Sequence, residues 1–180
     1  MPERAPMGER KTIPWTRWLW VSLAIIVADR ATKAWISAAL AYGESREITP
    51  FFNLVLAHNK GAAFSFLADA GGWQRWFFTA VAIVISAVLV VMLRRHRGGP
   101  LLALALALVL GGALGNLYDR VSVGYVVDFV QLHARGYYWP AFNVADSAIS
   151  VGVALLVWDS LKPGSREERG KALPVEKEKA

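Results

Sequence analysis

The 180-residue chain contains no cysteine. Disulfide bonds, thiolate metal sites and a cysteine nucleophile are therefore excluded. Its three histidines, His58, His96 and His133, are far apart and lack the H-x-x-x-H spacing of a common zinc site. The chain also lacks an internal repeat and a nucleotide-binding glycine loop, since GGALG lies inside an apolar run rather than after a strand. We accordingly expect neither a metal nor another cofactor.

The chain does contain long hydrophobic runs. Hydrophobic residues make up 55% of the sequence and are concentrated in four segments, at residues 15–40, 76–93, 101–118 and 142–158. Each run approaches the ~20 residues that cross ~30 Å of hydrocarbon as an α-helix. The sequence therefore predicts an all-α membrane protein, a four-transmembrane-helix bundle that forms one integral membrane domain over residues 1–180.

The first run and the connection after it carry two further signals. The apolar part of the first run continues past Ala28 to Leu40, which is longer than a cleaved signal peptide requires, so we expect a retained span. The following stretch, ITPFFNLVLAHNKGAAFSF, combines β-favouring residues with Asn and Gly and predicts a small outward-facing β/turn element between helices 1 and 2. Its aromatic residues suit the membrane surface; they are Phe51, Phe52, Phe64 and Phe66.

The net charge of +6 follows the membrane topology rather than a nucleic-acid-binding surface. Most of the basic residues lie in the two tails and in the short turn between the second and third runs, which carries Arg94, Arg95 and Arg97. Because cytoplasmic loops are enriched in Lys and Arg, both termini and this turn are predicted to face the cytoplasm. Residues 1–12 and 162–180 are charged and poor in large apolar groups, so we expect flexible cytoplasmic tails.

Two opposite charges interrupt the first run. Asp29 and Lys33 are four residues apart, so they project from one helical face and can pair. A charge at bilayer depth costs about 2.5–3.5 kcal/mol on insertion scales, so each requires a partner or a purpose. We interpret the pair as structural, with Lys33 directed either toward the outer interface or at another polar group.

Polar residues also gather at the outer ends of the third and fourth runs. In GNLYDR, Asn116, Asp119 and Arg120 are spaced i, i+3 and i+4 and share one helical face. In NVADSAIS, Asn143 and Asp146 stand three apart where the last run begins. An amide in hydrocarbon needs a polar neighbour, so the deeper Asn116 is expected to line a site or to pack against another polar group.

A third acid, Asp128, lies in the apolar run GYVVDFVQL at the same predicted level as Asp146. Two carboxylates that share a site hold a single proton near neutrality, because their repulsion disfavours double ionisation. Such a pair can hydrolyse an amide: the ionised acid deprotonates water while the protonated acid hydrogen-bonds the scissile carbonyl. The spacing equally allows helix capping or an ion pair with Arg120, so both interpretations remain open here.

A second class of function also remains open. A proton-coupled transporter or channel component would use the intramembrane polar residues as a relay; those residues are Asp29, Lys33, Asp128 and Asp146. A relay requires polar side chains in both halves of the bilayer. The cytoplasmic halves of the last three runs are almost entirely Ala, Leu, Val and Ile.

Five blocks in a fixed order, DRATK, NKGAAFSF, GNLYDR, VVDF and FNVADSAI, make the chain resemble the bacterial lipoprotein signal peptidases, also called signal peptidase II. The resemblance covers nearly all of the chain apart from the C-terminal tail. It implies four transmembrane helices in the cytoplasmic (inner) membrane, both termini cytoplasmic, and an active site near the outer leaflet. It also implies an aspartic endopeptidase that cleaves diacylglyceryl-modified prolipoproteins before the lipidated cysteine, with membrane lipid as surroundings and no nucleic acid as partner. We expect a monomer.

The same resemblance assigns roles to individual residues. Asp128 and Asp146 would form the catalytic pair. Positions that line the substrate or inhibitor site are Asn59, Gly61, Asn116, Arg120 and Asn143. Positions associated with fold and stability are Asp29, Lys33 and Asp119. No metal ligand is implied.

Overall fold

The computed structural model describes residues 14–61, 71–96 and 99–162. Four long helices fall on the four predicted runs: α1 Leu19–Ala39, α2 Trp73–Arg95, α3 Pro100–Ser122 and α4 Val144–Leu161. A 3-10 turn, Trp15–Trp18, leads into α1. The predicted tails, apart from Lys162, and the aromatic residues Phe64 and Phe66 lie outside the described residues.

Within the described part of the chain, three helices are long and apolar enough to cross a membrane, namely α2, α3 and α4. The first helix, α1, has 21 residues, which is sufficient length, but it contains Asp29, Arg30 and Lys33. Asp29 and Lys33 are almost completely buried inside the protein rather than exposed on the helix surface. Protein contacts therefore shield these two charges of α1 from the surroundings of the bundle.

The central helix is α3, which packs against α1, α2 and α4. Glycines permit this close packing, because they let the backbone of a neighbouring helix approach. A Cβ added to Gly111 would lie 2.9 Å from the Ser22 carbonyl oxygen of α1, and one added to Gly112 would collide with the Ala145 carbonyl oxygen of α4. The backbones of neighbouring helices thus approach α3 on two of its sides.

A four-stranded antiparallel sheet covers one end of the bundle, with strand order β1-β2-β3-β4. Strands β1 Ser45–Thr49 and β2 Phe52–Asn59 come from the connection between α1 and α2, where strands were predicted. Ile36 and Leu40 at the end of α1 belong to a hydrophobic cluster that includes Leu56 of β2. This packing fixes the sheet to the helices.

The predicted β element between helices 1 and 2 supplies only half of the sheet. Strands β3 Val126–Ala134 and β4 Tyr137–Tyr138 lie between α3 and α4, and β3 pairs with β2 at the centre of the sheet. The first four residues of β3 are buried on both faces, so its sequence lacks the alternation that identifies a half-buried strand. The β3–β4 turn, Arg135-Gly136, has positive φ at both residues, as tight hairpins require.

The chain segment before α4 is tied to the sheet by backbone hydrogen bonds. Phe142 and Val130 of β3 form an isolated antiparallel bridge, with N–O distances of 2.9 and 3.0 Å. The Phe142 carbonyl also accepts a bond from the Phe129 amide at 3.0 Å. The start of α4 is therefore held beside the first half of β3.

Candidate active site

Asp128 lies in β3 opposite Ala57 of β2 and is only 3% exposed. Both of its carboxylate oxygens accept side-chain amide hydrogen bonds. Asn59 Nδ2 donates to Oδ2 at 3.0 Å, and Asn143 Nδ2 donates to Oδ1 at 2.7 Å. The carboxyl is consequently oriented by one residue from β2 and one from the start of α4.

Asp146 is the third residue of α4 and takes part in its N-terminal capping box. The Asp146 backbone amide donates to Asn143 Oδ1 at 2.9 Å, and Asp146 Oδ2 accepts from the Asn143 backbone amide at 3.2 Å. The capping alternative is therefore correct for one oxygen. The other, Oδ1, accepts from Asn116 Nδ2 of α3 at 2.7 Å, a bond that helix capping does not require.

The two acids line the same cavity, which has a volume of about 720 Å³. Asn143 hydrogen-bonds to both of them, which joins β3 to α4 behind the cavity wall. The polar part of the lining includes three further predicted residues, Asn59, Asn116 and Arg120. The rest of the wall is mainly apolar and includes Leu132, Trp139, Pro140, Phe142, Ile149 and Val151.

The surroundings of Asp128 favour its protonated form. Burial is the largest cause, and the negative charge of Asp146 acts in the same direction. Hydrogen bonds from Asn59 and Asn143 and the charge of Lys33 oppose the shift. The net result raises the pKa of Asp128 to about 7, so the cavity contains a carboxyl that titrates near neutrality.

Arg120 does not form the predicted alternative ion pair. Its guanidinium donates to the Gly61 carbonyl at 3.2 Å and to the Asn116 carbonyl at 3.4 Å, and it lies 5.5 Å from the ring centroid of Phe78. Among the described residues, no salt bridge joins it to either acid. Gly61 in turn donates its amide to Asn59 Oδ1 at 3.0 Å, which closes a small polar turn at the end of β2.

Three buried charges lie outside the cavity lining. Lys33 Nζ is 2.8 Å from Asp29 Oδ2 and 2.8 Å from Asp119 Oδ2, which confirms the predicted pair and adds a second acid to it. Arg30 also contacts Asp119 through a short ion pair. Asp29 Oδ1 accepts from the Ala145 backbone amide at 3.0 Å. The network thus connects α1, α3 and the first turn of α4.

Sequence reasoning did not identify His58 or the apolar wall. His58 lines the cavity and stacks between two aromatic rings, with centroid distances of 3.9 Å to Tyr125 and 4.5 Å to Tyr42. Burial, together with the charge of Lys60, lowers its pKa, so the ring is neutral at pH 7. These residues come from four separate segments of the chain, which is why no local motif contains them.

No group of three or more potential metal ligands of the His, Cys, Asp and Glu types occurs in the described ranges. The polar groups that line the cavity include two carboxyls, two side-chain amides, one guanidinium and one imidazole, and the Asn143 amide donates to one of the carboxyls from behind the wall. A pair of carboxyls that shares one proton can activate water and polarise a carbonyl without a metal.

Comparison with known proteins gives concordant matches. Residues 21–162 match the family described as signal peptidase (SPase) II. A lipoprotein signal peptidase of Ralstonia nicotianae is 57% identical over 145 residues, covering 81% of this chain and 84% of that protein. A lipoprotein signal peptidase of Paraburkholderia phytofirmans is 51% identical over 162 residues, covering 90% and 94%.

Solved structures are similar over the same extent. A bacterial membrane enzyme determined by the in meso method at 2.3 Å resolution aligns with a TM-score of 0.77 and 30% identity, covering 96% of this chain and 100% of that one. A second bacterial membrane enzyme, determined by the same method at 1.9 Å, aligns with a TM-score of 0.74 and 32% identity, covering 86% and 99%.

Proposed function

The chain belongs to the signal peptidase II family, and from this premise we propose that it removes the signal peptide from lipoprotein precursors in the bacterial inner membrane. Its family makes it a peptidase. Asp128 and Asp146 act together as an aspartic pair. The observation that carries this proposal is their position on one cavity, with Asn143 hydrogen-bonded to both.

The proposed reaction uses one proton on the pair. The ionised carboxylate accepts a proton from water, and the resulting hydroxide attacks the scissile carbonyl carbon. The protonated carboxyl donates to the carbonyl oxygen and stabilises the negative charge that develops there. A proton then passes to the leaving nitrogen as the C–N bond breaks. The step requires no covalent intermediate.

The other cavity residues supply positioning. Asn59, Asn116 and Asn143 each donate to a carboxylate, so they orient the pair as well as lining or supporting the substrate site. Arg120 is directed at the Gly61 carbonyl instead. We assign Arg120 and Gly61 to the binding of the substrate backbone, because both present polar groups beside the pair without occupying its oxygens.

The apolar wall supports a lipid-modified substrate. Leu132, Trp139, Ile149 and Val151 line the cavity that contains the acids, and acyl chains bind favourably to such a surface. The proposed substrate is a prolipoprotein whose cysteine carries a diacylglyceryl group, cleaved on the N-terminal side of that cysteine. Both acids come from one chain, so a monomer is sufficient.

The proposed membrane arrangement has α1 as a fourth crossing, since its buried charges face α3 rather than lipid. Arg94 and Arg95 lie at the end of α2 that leads to α3, whereas Asp119, Asp146 and the sheet lie at the opposite end of the bundle. Cytoplasmic termini and an active site near the outer leaflet follow if the arginine-rich turn is cytoplasmic. All of the residues 1–180 would then belong to one membrane domain, with tails on the cytoplasmic side.

The function can be tested by incubating the purified protein with a synthetic diacylglyceryl-modified precursor and locating the cut by mass spectrometry. We expect one cut, immediately before the modified cysteine, that persists after treatment with a chelator. The matched control is the same precursor with an unmodified cysteine. A protein that leaves the lipidated precursor intact but conducts protons in liposomes would instead support the relay interpretation.

The rate of cleavage is expected to fall as the pH rises above about 7, the pKa of Asp128. A raised pKa means that the carboxyl keeps its proton up to neutrality, and loss of that proton leaves the pair doubly ionised and inactive. The measurement is kcat/KM from pH 5 to 9. The slope should approach a tenfold loss per pH unit on the alkaline side.

Thermal unfolding at each pH provides the control for this profile. Because the folded protein holds the Asp128 proton more tightly than the unfolded chain, this group stabilises the fold at low pH. That contribution is lost as the pH rises through about 7. Cleavage that continues to increase up to pH 9, in protein that stays folded, would contradict the one-proton mechanism.

A further inference from the structure

The amide orientation of each asparagine beside the acids is fixed by a donor to its oxygen. Asn59 Oδ1 accepts from the Gly61 amide at 3.0 Å, and Asn143 Oδ1 accepts from the Asp146 amide at 2.9 Å. With the oxygen occupied, the NH₂ group of each side chain must point at a carboxylate. In these two cases the donor is a backbone amide.

Asn116 differs because its oxygen accepts from a buried cation. Lys33 Nζ lies 3.0 Å from Asn116 Oδ1, and Asn143 Nδ2 donates to the same oxygen at 3.3 Å. Asn116 Nδ2 then donates to Asp146 Oδ1 at 2.7 Å. A continuous chain of contacts therefore runs from an ammonium group, through one amide, to the proposed catalytic acid.

The burial of Lys33 makes this contact persistent. The lysine is 1% exposed, so water does not compete for its donors. An ammonium has three donors, and all three have acceptors here, in Asp29, Asp119 and Asn116. Two of these acceptors are carboxylates and the third is the amide oxygen, so one donor of the ammonium orients the amide.

We propose that Lys33 is a positioning residue that acts through Asn116, holding the amide so that it donates to Asp146 and keeps Asp146 the ionised member of the pair. This assignment rests on the proposed function. Asp128 is then the member that holds the proton. Without Lys33 the amide can turn over and present its oxygen to Asp146, an arrangement that is favourable only when Asp146 is protonated. Both acids would then be protonated, and neither could deprotonate the attacking water.

Other charges near the pair do not supply the same contact. Arg120 donates to backbone carbonyls, and Arg30 pairs with Asp119. The remaining titratable or charged groups of the surrounding elements are His58 and Lys60 from the β2 end, Asp128 from β3, Asp29 from α1, Asp119 from α3 and Arg75 from α2. None of these groups forms a hydrogen bond with the Asn116 amide in the described residues.

The test compares Lys33→Met/Asp29→Asn with Asp29→Asn alone. The double variant removes one positive and one negative charge together, so the buried network stays balanced, and the asparagine oxygen can still accept from the Ala145 amide. The single variant keeps the contact between Lys33 and Asn116. The readout is the pH dependence of kcat on the diacylglyceryl precursor. We expect the acidic limb of the double variant to move upward by about one pH unit or more relative to the single variant.

A purely structural role for Lys33 would lower kcat by the same factor at every pH, whereas a direct effect of its charge, which also acts on the pair, would shift the limb even when Asn116 is replaced by alanine. Coincident acidic limbs in the two variants, or the same shift between them in an Asn116→Ala background, would overturn the proposal. If the double variant does not fold, the acidic limb of Asn116→Ala is compared with that of the unsubstituted protein. This variant leaves Lys33 paired with both carboxylates. The same upward shift is expected, and an unchanged acidic limb would overturn the proposal. Failure of the unsubstituted protein to cut the precursor would instead refute the proposed function.

Discussion

Replacing Asp128 or Asp146 with asparagine is expected to lower cleavage of the diacylglyceryl precursor by at least about a thousandfold. The amide has the shape of the carboxyl but can neither share the proton nor deprotonate water. Each single variant should lose nearly as much activity as the double variant, because the proposed mechanism uses the two acids as one unit. The measurement is the initial rate of precursor cleavage at pH 6 to 7.

The matched control for these variants is Asp159→Asn. Asp159 lies on the same helix as Asp146 but at its opposite end, away from the cavity, so its substitution should leave the rate unchanged. In each variant the new NH₂ group would face an amide donor of a neighbouring residue, and two donors cannot hydrogen-bond to each other. Thermal unfolding is therefore recorded in parallel, and a folded Asp128→Asn or Asp146→Asn protein with normal rates would refute the aspartic mechanism.

Lys33→Met alone is expected to lower the free energy of unfolding by about 3–5 kcal/mol, measured by unfolding in detergent micelles. Lys33 is the cation between Asp29 and Asp119, whose side chains are completely buried. Its removal leaves Asp119 paired with Arg30 and leaves Asp29 without an ion-pair partner among the described residues. One carboxyl must take up a proton or remain uncompensated, and either outcome costs stability.

Arg46→Met provides the comparison at the surface. Arg46 pairs with Glu44 at 3.2 Å, but its side chain is 60% exposed. Exposed pairs contribute little because water and salt screen them, so we expect no measurable change. Adding Asp29→Asn to Lys33→Met should restore part of the lost stability, because Asp29 is the acid that loses its cation whereas Asp119 keeps Arg30. Equal effects of Lys33→Met and Arg46→Met would contradict the structural role of the buried network.

Helices α2, α3 and α4 were predictable from sequence because each is long and mainly apolar, which leaves few alternatives in a membrane. The pairing of Asp29 with Lys33 was also predictable, since it depends only on helical spacing. Strands β3 and β4 were not predicted from the sequence. In β3 the residues from Val126 to Phe129 are buried on both faces, so strand and helix patterns cannot be distinguished there.

The candidate acids could be selected from the sequence, but the hydrogen bonds and ion pairs that they form could not be predicted. Periodicity places Asn143 and Asp146 on one face, whereas the bond from Asn143 to Asp128 depends on the bridge between Phe142 and Val130. The contact of Lys33 with Asp119 joins residues that are 86 positions apart. Such contacts are set by how α1, α3 and β3 pack together, and no local spacing encodes that packing.

Two glycines of α3 allow α4 to lie close to it. Gly112 and Gly115 both lie against Ala145, the residue immediately before Asp146, and Asn116 follows Gly115 directly in sequence. The separation between these two helical backbones therefore determines whether the Asn116 amide reaches its acid at 2.7 Å. These glycines thus set the distance between the two helices at the proposed hydrolytic centre, so a larger residue there would disturb the chemistry even though glycine offers no functional group.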